Sequence, residues 1–284
     1  MKELFRKSFD LVRGDPILWA PSVIAALITV SLDRLEKTGV HWFIRHFAYQ
    51  HSVLGGSVPV SPSEWQHLAM MTIIPLGFLK HFLTVTTFVF TFVVTALMVR
   101  STLDAKRPEI RAILRETGDD WRKILVFSVL CMVCLGASVG ISRYLLILLS
   151  ENLHPEAVVG PHILTYTFGL VVEFAAAWLL MPRAMRLLQQ SSSFSIDSGG
   201  RTTGALIVIL TGAIGLLIAR ALGGTESAIA LQGQIAQIIL LVLNAIVESL
   251  PQAFMFVALA LIAYPAVAEA GTSENPESAP QLSE

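Results

Sequence analysis

The chain has 284 residues, 54% hydrophobic and only 14% charged, with a formal net charge of −1. Soluble domains average roughly 25% charged residues, so a surface wetted on all sides is excluded. The balanced charge also argues against nucleic acid, which calls for a basic face. The two cysteines, Cys131 and Cys134, sit inside one apolar run and define no disulfide framework.

Lys2 to Arg13 is predicted to form an amphipathic helix. At about 100° per residue, Leu4, Phe5, Phe9, Leu11 and Val12 cover an arc of about 160°, and the charged residues fall outside it. Such a helix lies in a membrane interface or packs on a bundle, and both readings stay open here. Acids mixed with bases, and no small-residue cleavage site after the apolar run, speak against a cleavable signal. Gly14-Asp15-Pro16 then provides a break, an N-cap and a proline at the first helical position.

Six membrane spans are expected near Ile17–Leu32, Phe82–Val99, Ile124–Leu148, Ile163–Met181, Ala205–Leu222 and Ile246–Val267. About 20 apolar residues cross roughly 30 Å of hydrocarbon, so the first of these is short. The fold class read from the sequence is therefore all-α, a polytopic membrane bundle of about six transmembrane helices with short interfacial helices. Residues 1–270 form one transmembrane domain, and the acidic tail 271–284 is expected to be disordered.

The loops carry signals of their own. Ser61-Pro62-Ser63-Glu64 is a capping box that starts an outer helix running to about Ile74. Pro108 opens an inner helix with Ile110, Ile113 and Leu114 on one face, directed at the bilayer or the bundle. Ser191 to Gly204, rich in serine and glycine, is expected as a flexible loop.

Lysine and arginine set the orientation. Lys2, Arg6, Lys7 and Arg13 precede the first span, seven cations from Arg100 to Lys123 follow the second, and Arg183, Arg186 and Arg201 follow the fourth. The six others of the twenty fall on the opposite side or near its helix ends. The bias places both termini in the cytoplasm.

Polar groups within the spans are the pointers to function, because an ionisable side chain in lipid is costly and turns to the bundle or a cavity. Glu173 lies mid-way along the fourth span with Thr165, Gly169 and Ala177 near its face. It reads as hydrogen-bonded helix glue or as a proton or cation site. In the second span Lys80, Thr84, Thr87, Thr91 and Thr95 fall within about 80° of one another. That stripe is structural, through hydroxyl bonds to the preceding turn, or it lines a hydrated path. Gln237, Asn244, Glu248 and Gln252 share one face of the last helix, which Pro251 interrupts. The candidate polar site is an outer vestibule in which Glu248 meets a cation among Lys80, Arg143 and Arg220; the alternative is that these cations snorkel to the surface.

Other constellations carry less. The spacing of His41, His46 and His51 does not align metal ligands on a helix, and no catalytic set, metal site or cofactor is expected. Gly136 with Gly140, and Thr211, Gly215, Ala219 and Gly223, are small-residue faces for close helix packing, within the chain or in a homo-oligomer.

The run Ser8-Phe9-Asp10-Leu11-Val12-Arg13-Gly14-Asp15-Pro16, followed by Ile17-Leu18-Trp19-Ala20-Pro21, resembles the start of a group of prokaryotic multi-pass proteins. That group includes the membrane domain associated with glycerophosphoryl diester phosphodiesterases. The resemblance spans about thirty residues and implies a membrane module; nothing here corresponds to the phosphodiesterase catalytic domain. The expected partners are the lipid bilayer and a second copy or another protein. A non-enzymatic module or accessory subunit is the leading expectation, and a transporter or channel using the intramembrane carboxylates is the other.

Overall fold

The computed structural model describes residues 2–53, 74–104, 106–152, 159–188, 197–229 and 234–264, though not every side chain within them. Among the described residues every regular element is helical. In chain order these are α1 (Lys2–Gly14), a 3-10 turn (Pro16–Trp19), α2 (Ala20–Val53), α3 (Ile74–Leu103), α4 (Ile110–Asp119), α5 (Trp121–Asn152), α6 (Val159–Leu188), α7 (Ser198–Ile229) and α8 (Gln234–Ala263). Residues 61–73 and the tail 271–284, for which a capped helix and disorder are expected, lie outside the described residues.

Helices of 30 to 34 residues stand at each of the six expected spans. At 1.5 Å per residue each is roughly 45–50 Å long. Among the described residues, three segments are long and apolar enough to cross a membrane: Pro16–Val40, Ile74–Leu103 and Val242–Ala263. The long helices form a closed ring. Helix α2 packs on α3, α3 on α5, α5 on α6, α6 on α7, α7 on α8, and α8 back on α2. Helices α3 and α8 also meet directly, which makes them the centre of the packing.

Among the described side chains, burial is concentrated at one end of this ring. Val89 and residues 91–99 of α3, and Ala253, residues 255–261, Ala263 and Tyr264 at the end of α8, are buried together with Met181, Met185 and Leu188 of α6, Ile124 of α5 and Ile207 of α7. Phe256 is fully buried, with its ring edge-on to Phe88 at 4.8 Å and tilted against Phe92 at 5.7 Å. At the opposite end Ile74, Phe78, Leu135, Tyr144, Leu170, Leu217 and Leu243 are exposed. Helices apolar on every side leave such surface wherever no neighbour covers it.

The closed end is tied by specific contacts. The Tyr264 hydroxyl donates to the Leu188 carbonyl at 2.9 Å, and the Arg100 guanidinium lies 5.8 Å from the centre of the Tyr264 ring, so the ends of α3, α6 and α8 meet. Gly204 lets α7 approach α6: a Cβ there would lie 2.7 Å from Met181 Cε. Arg201 covers the Trp178 ring at 5.4 Å across the same helix pair.

Several expectations shift. Asp15 caps as anticipated, its carboxylate accepting from the Ile17 amide at 3.3 Å, but a 3-10 turn intervenes before α2. Helix α2 overruns the expected end at Leu32, because Asp33 and Lys37 pair at 2.7 Å along its surface and support rather than break it. Within the loop expected over Ser191 to Gly204, α7 already begins at Ser198. Asp197 caps it by accepting from the Gly200 amide at 2.9 Å, which outweighs the glycines in its first turn. Pro251 lies inside α8.

The two short amphipathic helices lie against the bundle. Helix α1 packs on α8 through Leu4, the buried Ser8, Leu11 and Val12, and Phe5 stacks on Phe254 at 5.1 Å. Phe9 stays exposed. Helix α4 packs on α3.

Candidate functional site

The best-defined polar site joins α2 and α3. Asp33 and Glu36 stand three residues apart, hence on one face of α2. Lys80 reaches them from α3, its Nζ 2.5 Å from Asp33 Oδ1 and 2.8 Å from Glu36 Oε2. Lys37 holds the other oxygen of Asp33. Gly77, one turn before Lys80, provides the space: a Cβ there would touch Glu36 Oε1 at 3.4 Å. The Lys80 side chain keeps only 20% of its exposure. Two carboxylates around one half-buried ammonium fix the register of α2 on α3.

Below Lys80 the threonine stripe runs inward. Thr84 and Thr87 are half-buried, Thr91 and Thr95 buried, so the stripe enters the packed end of the ring. Elsewhere hydroxyls bond one turn back along their own helix: Ser101 to the Leu97 carbonyl, Thr102 to Met98, Thr117 to Ile113 and Ser128 to Ile124. The buried hydroxyl oxygens of Thr84, Thr86 and Thr95, and of Ser22 on α2, find no partner among the described residues. Unspent hydrogen-bonding capacity in a low-dielectric interior is unfavourable, so these four atoms stand out.

The other anticipated residues are distributed rather than gathered. Glu173 lies mid-way along α6 with its side chain exposed, as are those of Leu170 and Val171. Glu248 is half-buried on α8, next to Ser249, which accepts from the Trp19 indole N–H at 2.9 Å and donates to the Ile246 carbonyl at 2.7 Å. The side chains of Arg143 and Arg220 lie outside the described residues, as do those of His41, His46, His51 and Thr165. Lys80 is therefore placed in a cluster with Asp33 and Glu36, two acids that the sequence marks only as charge flanking the first span. Their spacing of three was the available signal.

The described glycines of the small-residue faces are open. Nothing among the described residues lies within 4 Å of a Cβ built on Gly136, Gly140, Gly212 or Gly215, whereas Gly204 and Gly77 do carry close approaches. Cys131 and Cys134 are free thiols, and Cys131 packs against the core. No group of three His, Cys, Asp or Glu side chains among the described residues has metal-binding geometry.

No family model matches this chain, and neither a curated protein nor a solved structure does so. The class defined by the fold is that of a protein all-helical among its described residues, three of whose described helices are long and apolar enough to cross a membrane.

Proposed function

We propose that the chain is a six-span integral membrane protein of a prokaryotic inner membrane, with both termini cytoplasmic. In this reading it acts as a non-enzymatic module that assembles with itself or with other membrane proteins. The ring of six long helices, the clustering of cations on one side of the sequence and the N-terminal resemblance support the membrane plan.

The observation that carries the assembly reading is Glu173. Its side chain is exposed half-way along a 30-residue helix. A carboxyl facing lipid tails is disfavoured by several kcal/mol on most scales, so a protein surface that hydrogen-bonds it gains that difference. The open glycine faces of α5 and α7 are compatible with such contacts.

The test is the mass of the purified protein in mild detergent. The wild type is expected to run as an oligomer or with a bound partner, and Glu173→Leu as a monomer with unchanged thermal unfolding. A wild type that is monomeric and alone at all concentrations would overturn the reading. Topology is tested in a background lacking Cys131 and Cys134. A cysteine at position 57 should react with an impermeant thiol reagent on intact cells, and one at position 106 should not.

A second reading, a transporter or channel for a small solute or ion, is favoured by the hydroxyls of Thr84 and Thr95, in line with Lys80 and without a partner among the described residues. It requires flux in reconstituted vesicles that Glu173→Gln or Thr84→Val alters.

A further inference from the structure

We infer that α4 and the start of α5 form a docking surface for an anionic phospholipid leaflet, with Arg111 and Arg115 taking headgroup phosphates. This rests on the membrane reading above. Helix α4 has four distinct edges at about 100° per residue. Ile113 and Thr117, 5% and 1% exposed, form the edge held against the bundle. About 60° further round come Ile110 and Leu114, apolar yet 49% and 45% exposed. Arg111 and Arg115, both exposed, form the third edge, and Asp119 and Glu116 complete the circle.

This order is that of a helix wedged between a bundle and a bilayer. One edge packs on protein, the next enters the acyl boundary, the third lies among headgroups, and the exposed Asp119 beyond them meets water. The cations adjoin the exposed apolar edge and the acids do not, so the charge complements an anionic leaflet rather than a basic partner. Lys123, at the start of α5, is neutralised by Asp120 at 2.6 Å.

Trp121 extends the surface. It opens α5, is exposed, and carries the Arg122 guanidinium 5.6 Å from its ring centre. An indole beside cations suits the headgroup level of a membrane. Interfacial helices gain from buried apolar surface and from attraction to anionic lipid together, and α4 presents both on adjacent edges.

The experiment reconstitutes the full-length protein in vesicles of phosphatidylcholine and phosphatidylglycerol, with one or the other lipid brominated. Quenching of Trp121 is read as the difference between wild type and Trp121→Phe. A cation near an anionic surface favours it by a factor of about five, so the two arginines should select phosphatidylglycerol by an order of magnitude or more. The variant Arg111→Gln/Arg115→Gln should lose that preference, Arg111→Lys/Arg115→Lys should keep it, and inorganic phosphate should not compete. Equal quenching by both lipids in the wild type, or a preference that survives the glutamine variant, would overturn the inference. So would competition by inorganic phosphate, which would mark a site for the free anion. If the protein fails to float with the vesicles, the membrane reading falls as well; if it floats without lipid preference, only this inference falls.

Discussion

Lys80 Nζ lies 2.5 Å from Asp33 Oδ1, a contact between residues 47 apart in sequence that sets α2 against α3. Glu36 completes the cradle at 2.8 Å. Lys80→Met leaves two carboxylates without their shared cation. The side chains are partly exposed, so the expected loss lies between that of a surface pair and that of a buried one, about 1–3 kcal/mol. Thermal unfolding in detergent measures it. Adding Asp33→Asn and Glu36→Gln to Lys80→Met should recover part of the loss, since the stranded charges are then removed.

Tyr264→Phe tests the knot at the closed end. The hydroxyl donates to the carbonyl of Leu188, the last described residue of α6. Removing one partner of a buried bond leaves that carbonyl unsatisfied, at about 1–2 kcal/mol. A lower unfolding temperature is expected, with the aromatic packing of Tyr264 retained.

Gly204 is the close-approach glycine between α6 and α7, facing Met181. Gly204→Ala should cost little, because the thioether end of Met181 is flexible and can swing aside. Gly204→Val should destabilise by about 1–3 kcal/mol through overpacking. Met181→Ala in the Gly204→Val background should return part of this stability, which a chemical-denaturation series in mixed micelles would show.

Thr95→Val separates structure from transport. The Thr95 hydroxyl is buried and finds no partner among the described residues, so replacing it by a methyl removes a polar group with no described hydrogen bond. Unfolding temperature should stay level or rise, by up to about 2 kcal/mol of stability. A fall in stability would show that the hydroxyl is satisfied in the folded protein. Loss of solute flux at unchanged stability would favour the transport reading.

Much of the helical plan was legible in the chain itself. Runs of apolar residues marked all six long helices, Asp15 with Pro16 marked the cap of the 3-10 turn that leads into the first, and the spacing of Lys80 with Thr84, Thr87, Thr91 and Thr95 assigned them one face. These are local properties, fixed by the 3.6-residue period and by capping chemistry. The partners of Lys80, the exposure of Glu173 and the split of α4 into bundle-facing Ile113 and outward Ile110 and Leu114 came only with the tertiary structure. The reason is physical: lipid tails are as apolar as a protein core, so a helix meant for the bilayer has no polar side to reveal which way it turns. Which face meets a neighbour is decided by helices far apart in sequence, and only their packing brings Asp33 and Glu36 to Lys80.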